Sequence, residues 1–185
     1  MATKLKLIET TPGEKLSPFD KAFAALIGVE GGYVDHPADK GGPTKFGISR
    51  RSYPAFSIEE IKALTLEGAK EIYKRDFWDK LGLDKLAIYP LQLELFEQSV
   101  NLGVERAATH AQMSIKLLGG TCHVDGFLGP LSHEALDKAA RANYLALLKC
   151  LNGLQFSRYV NIVTGDSTQQ AFFVGWLSRV DLKLV

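Results

Sequence analysis

Apolar positions along this chain recur mostly at intervals of three and four, the spacing of one helical face. Phe19, Phe23, Leu26 and Ile27 form the first such stripe, behind Ser17 as N-cap and Pro18 at the first helical position. Burying it is worth about 1.5–3 kcal/mol per large side chain. Glu30 falls on the same stripe, just before Gly31-Gly32, where glycine favours a left-handed helix stop. Ser57-Ile58-Glu59-Glu60 reads as a capping box that opens a short helix. A further start near Thr65 predicts a helix to Trp78, with Ala69, Ile72, Tyr73 and Phe77 inward and Lys74, Arg75 and Asp76 on a solvated face. Pro90 begins another helix, with Leu91, Leu95, Phe96, Ser99 and Val100, that runs to Gly103.

An amphipathic segment follows at 104–118 and is closed by Gly119-Gly120. Val124-Asp125-Gly126-Phe127-Leu128-Gly129-Pro130 is a turn-rich link. Helices are then expected over 131–151, 155–163 and 168–180. The fold class is mostly α: a helical globule with a small β-hairpin or loop region after the first long helix, between Gly32 and Ser49. At 185 residues the chain is long enough for one domain or for two lobes sharing a core.

The exception to this helical pattern is the stretch from Val29 to Ser49, which spends five glycines and two prolines on a polar loop. So many special-backbone residues imply a loop that must hold a shape. It carries Glu30, then Asp39 nine positions on, then Thr44 five beyond that. The opposing helix dipole at a C-terminus pushes the Glu30 carboxyl toward its protonated form. Asp39 sits among solvated glycines. The bland readings are a surface carboxylate for Glu30, a turn brace for Asp39 and a local backbone partner for Thr44. Asp35 is a rival second carboxylate.

Composition narrows the field only slightly. A net charge of +1 offers no global argument for nucleic acid. His36, His110, His123 and His133 lack ligand spacing, so no metal and no cofactor are expected. Cys122 and Cys150 read as two free thiols rather than a disulfide. There is no phosphate loop and no serine elbow. No run approaches a membrane span, and residues 1–14 lack the apolar core of a secretory signal.

Taken together, these residues resemble the N-acetylmuramidases of glycoside hydrolase family 108. The likeness runs from Glu30-Gly31-Gly32-Tyr33 through Asp39-Lys40-Gly41-Gly42, Thr44 and Phe46-Gly47-Ile48-Ser49. It continues in Tyr73-Lys74-Arg75-Asp76-Phe77-Trp78 and Phe96-Glu97-Gln98-Ser99-Val100-Asn101-Leu102-Gly103. Glu97 and Ser99 depart from the family, which more commonly has aspartate and alanine there. The second half, with Val124-Asp125-Gly126 and Phe173-Val174-Gly175-Trp176, resembles the predicted peptidoglycan-binding domain usually fused to that module.

The resemblance implies an N-terminal extension at 1–16, a catalytic lobe at 17–106 and a helical peptidoglycan-binding lobe at 107–185. It implies cleavage of the β-1,4 bond between N-acetylmuramic acid and N-acetylglucosamine, as in a phage endolysin. By analogy with lysozyme, where an apolar pocket raises one carboxyl to a pKa of about 6 and a second stays ionised, Glu30 is the acid and Asp39 its charged partner. Thr44 then holds a water. Tyr33, Phe46, Gln98 and Asn101 are the expected sugar contacts, with Trp78 a weaker candidate for stacking. The expected partner is the peptidoglycan glycan strand, met by a monomer without nucleic acid or stable membrane insertion. Such a protein is made in the cytoplasm and acts on the wall, in the periplasm, after release or export. A lytic transglycosylase and a non-catalytic wall-binding or scaffold protein remain as alternatives.

Overall fold

The computed structural model describes residues 16–27 and 43–180 and divides into two compact units, 1–78 and 79–185. Glu30, Tyr33, Asp35 and Asp39 lie outside the described residues, as do the helix stop at Gly31-Gly32 and the N-terminal segment.

The first unit is built on an aromatic chain. Helix α1 (Pro18–Ile27) buries Phe19, Ala22 and Phe23. Its N-terminus closes as a capping box: Ser17 Oγ accepts from the Asp20 amide, and the Asp20 carboxylate accepts from the Ser17 amide. A hairpin of β1 (Thr44–Lys45) and β2 (Ile48–Ser49) follows, antiparallel, with Thr44 opposite Ser49 and Lys45 opposite Ile48. Helix α2 (Ile58–Ala63) opens with the expected Ser57–Glu60 capping box. Helix α3 (Leu66–Tyr73) starts at Thr65, whose hydroxyl accepts from the Gly68 amide.

The register of the aromatics changes at the end of α3. Residues Lys74–Trp78 form a π-helical turn, which inserts one extra residue per turn. Trp78 therefore takes the fully buried position, and Phe77, expected inward, is only half-buried. The Phe19 ring meets Trp78 edge-on at 5.4 Å, and Phe23 meets Tyr73 at 5.6 Å. Edge-to-face pairs of this kind add about 0.5–1.5 kcal/mol each beyond area burial. The wider turn seats the larger apolar ring in the core.

The second unit is a helical bundle. A short α4 (Asp79–Leu81) and a 3₁₀ turn (Leu83–Lys85) lead into α5 (Tyr89–Leu102) and α6 (Val104–Leu117). Both pack against α7 (Pro130–Gly165), and α8 (Gln170–Leu177) packs on α7. Gly103, at φ +92°, makes the corner between α5 and α6.

One expectation is overturned here. The break expected between 151 and 155 is absent, and α7 is instead two helical stretches joined by a kink at Asn143 (φ −164°, ψ 88°), where Asn143 Oδ1 accepts from the Ala146 amide as an internal N-cap. Gly153 does not break the helix because Leu151, Asn152 and Gln155 on either side are buried in the bundle.

The mostly helical class and the small antiparallel sheet agree with the sequence reading. Both cysteines are free and half-buried. No helix among the described residues is long and apolar enough to cross a membrane.

Candidate functional site

Of the proposed reacting groups, Thr44 lies within the described residues, on the outer strand position of the hairpin. The hairpin turn has two residues, Phe46 (φ +51°) and Gly47 (φ +77°). Two positive φ values are what a type I′ turn requires, and they match the twist of the flanking strands. Glycine adopts this freely; phenylalanine does so at a cost on the order of 1–2 kcal/mol. Phe46 is the only non-glycine residue with positive φ among those described.

The strain is held in place from below. Tyr73 Oη, on a buried side chain of α3, donates to the Phe46 carbonyl at 3.2 Å. Burial pushes the Tyr73 phenol up to about 12, so it remains a donor throughout the neutral range. A Cβ on Gly47 would collide with that same hydroxyl. Glycine at 47 therefore answers two demands at once, backbone sign and close approach. Lys45 Nζ adds a third tie, donating to the Lys62 carbonyl at the end of α2 at 2.7 Å, and it lies 5.6 Å from the Phe46 ring centroid.

A second polar cluster lies beside the hairpin's continuation. Tyr53 Oη donates to Asp76 Oδ2 at 3.0 Å, and Arg75 grips the same carboxylate through Nε and Nη2 at 2.7 and 2.6 Å. Desolvation and the Asp76 charge both push the Tyr53 phenol up. Asp76 is thus a half-buried brace for the 50–53 segment and not simply part of a solvated face. Its signal in sequence was absent, because the π-helical turn that presents it has no composition of its own.

Gln98 and Asn101 both lie on α5, in the second unit. Gln98 is fully enclosed. Its Nε2 donates to Glu94 Oε1 at 2.6 Å and to the Leu151 carbonyl of α7 at 3.1 Å. The carbonyl can only accept, so the amide oxygen faces His110 Nδ1, 2.7 Å away on α6. His110 accordingly carries its proton on Nδ1. Burial, then the charges of Arg106 and Arg158, lower its pKa to about 4, so the ring is neutral near pH 7. Gln98, expected at a sugar, instead joins α5, α6 and α7.

Asn101 differs. It is half-buried, and its Nδ2 is a buried donor with no partner among the described residues. Gly103 closes α5 with its own amide donating to the Ser99 carbonyl, so Asn101 is not needed as a cap. An unpaired buried donor costs about 1–3 kcal/mol. Among the described residues no group of three metal-ligating side chains gathers.

The comparisons agree on both halves of the chain. A family model described as glycosyl hydrolase 108 matches residues 23–103. A second, described as predicted peptidoglycan domain, matches residues 106–181. Among solved structures, that of Brucella abortus SagA is 30% identical, covers 88% of this chain and 88% of its own, and superposes with a TM-score of 0.71. None of the curated proteins matches.

Proposed function

This chain belongs to glycosyl hydrolase family 108, with a peptidoglycan-binding unit behind the catalytic one, and from that premise we propose that it is an N-acetylmuramidase. It acts as a glycosidase on peptidoglycan. The bond we assign is the β-1,4 link from N-acetylmuramic acid to N-acetylglucosamine, and the setting is host-cell lysis by a phage endolysin. The observation that carries this reading is the run of the family match through the whole loop of Glu30, Asp39 and Thr44.

The chemistry assigned here needs two carboxyls in opposite environments. Glu30, at the end of an apolar helical stripe, gives its proton to the bridging oxygen. Asp39 stays ionised and stabilises positive charge at the anomeric carbon. Thr44 orients the attacking water, and the Tyr73 anchor on Phe46 keeps its hairpin from drifting. Phe46 and Tyr33 supply aromatic faces to the sugars. We assign 17–106 to cutting and 107–185 to holding the wall.

Glu30→Gln tests this directly. It is expected to abolish release of reducing ends from purified sacculi while leaving the circular dichroism melt unchanged, and full turnover by the variant discards the assignment. Product mass identifies the reaction: each cut adds one water in hydrolysis, whereas an anhydro sugar marks a lytic transglycosylase.

A further inference from the structure

The wall-binding unit carries a groove that the catalytic chemistry does not use. Two adjoining concavities, of about 490 and 440 Å³, share Thr121, Ala135 and Lys138. Their α7 side is Leu131, Ala135, Ala139 and Ala142 on the helical stretch before the Asn143 kink, with Asn143 and Ala146 beyond it, and their other side is the chain from Ile115 to Phe127. The helical stretch from Leu131 to Ala142 rises roughly 16 Å, the reach of an extended peptide of about five residues.

Its mouth is stiff. Gln112, fully buried on α6, uses its whole amide on the turn at 125–127. Its Oε1 accepts from the Asp125 and Gly126 amides at 3.1 and 2.9 Å, and its Nε2 donates to Asp125 Oδ1 and the Phe127 carbonyl at 2.8 and 2.9 Å. Gly126 is held at φ +75°, where an added Cβ would lie 2.7 Å from Glu105 Cγ. This turn leaves Phe127 66% exposed, beside Leu131 at 82%. Folding energy spent on a turn that presents an apolar ring to water points to a ligand for that ring.

The charge pattern identifies the ligand. Lys138 stands in the middle of the groove, and Asp125 and Glu134 stand at the Phe127 end. A neutral glycan has no use for charges of both signs, whereas the small Ala135–Ala139–Ala142 floor admits methyl groups. We infer that this groove binds the stem peptide of peptidoglycan, a short alanine-containing chain with both carboxylates and a free ammonium. Lys138 pairs with a carboxylate, Asp125 and Glu134 receive the ammonium, and Phe127 covers the aliphatic part of the diamino acid. The inference rests on the reading of this half as the wall-binding one.

Calorimetric titration of the full chain with the free tetrapeptide L-Ala-γ-D-Glu-meso-diaminopimelate-D-Ala tests it, with a β-1,4-linked N-acetylglucosamine oligomer as the glycan control. Both Phe127→Ala and Lys138→Glu replace exposed side chains, so each is expected to fold, as melts will verify. Each should weaken the tetrapeptide by about tenfold or more and leave the control unchanged. The groove is refuted if the tetrapeptide fails to bind, binds both variants as it binds the parent, or is displaced by the glycan control. Sacculi that bind the chain while the tetrapeptide does not refute the groove alone. Sacculi that fail to bind a chain that still cuts soluble glycan refute the wall-binding reading itself.

Discussion

Two residues show how much a single position carries. Gly47 cannot gain a side chain without losing either its positive φ or the Tyr73 hydroxyl. Gly47→Ala is expected to cost about 2 kcal/mol, the left-handed penalty together with the displaced hydrogen bond. Tyr73→Phe, which keeps the ring and removes the Phe46 tie, should cost about 1 kcal/mol. Chemical denaturation measures both losses. Turnover should fall further than stability in Tyr73→Phe, since Thr44 rides on the loosened hairpin; equal turnover would separate the hairpin from the chemistry.

His110 gives the pH dependence. Its pKa is lowered in the folded chain to about 4 from an ordinary 6.5, so the unfolded chain binds the extra proton first. The stability present above pH 6.5 is therefore lost as pH falls from about 6.5 to about 4. A shift of that size corresponds to roughly 3 kcal/mol. Thermal melts across this interval should show the slope. His110→Asn, whose amide still donates to Gln98 Oε1, should flatten it even if the variant is less stable overall.

At the scale of elements, polar side chains buried between helices do more than the loops they resemble in sequence. Gln112 braces the 125–127 turn, in which Asp125 Oδ1 also accepts from the Phe127 amide, and replacing it with alanine leaves the Asp125 and Gly126 amides and the Phe127 carbonyl without their partner. Gln112→Ala is expected to lose roughly 3 kcal/mol, a melting shift of about 6–12 °C for a chain of this size. It should also raise hydrogen exchange locally at 125–127. His133 plays a similar part at the start of α7, with its ring nitrogens 3.0 Å from the Gly129 carbonyl and 2.9 Å from that of Leu81. The turn-rich link legible in the sequence is thus a fixed corner. Its rigidity comes from residues that are distant along the chain.

At the scale of the molecule, family likeness and packing divide the chain differently. The family matches meet between residues 103 and 106, whereas the compact units part at Trp78 and Asp79. Helix α5 is matched with the catalytic family yet packs on α6 and α7, and Gln98 spans the three. A fragment ending at residue 118 loses α7 and with it the Leu151 carbonyl and the buried Leu136, Leu147 and Leu148. That fragment is expected not to melt cooperatively. A sharp calorimetric transition would show that the catalytic half stands alone.

Local rules were enough for much of this protein. The N-cap at Ser17, the capping box at Ser57, the proline starts, the glycine stop after α5 and the helical stripes are set by neighbours within four residues, so they can be read along the chain. The expectation for Glu30, Asp39 and Thr44 rests on the same kind of local signal, the glycines, prolines and spacing around them. Other features depend on residues brought together only by folding. The π-helical turn that buries Trp78, the continuity of α7 past Gly153 and the enclosure of Gln98 are each decided by what packs against them. Periodicity reports which face of a helix is apolar; it carries no record of the partner that will cover that face.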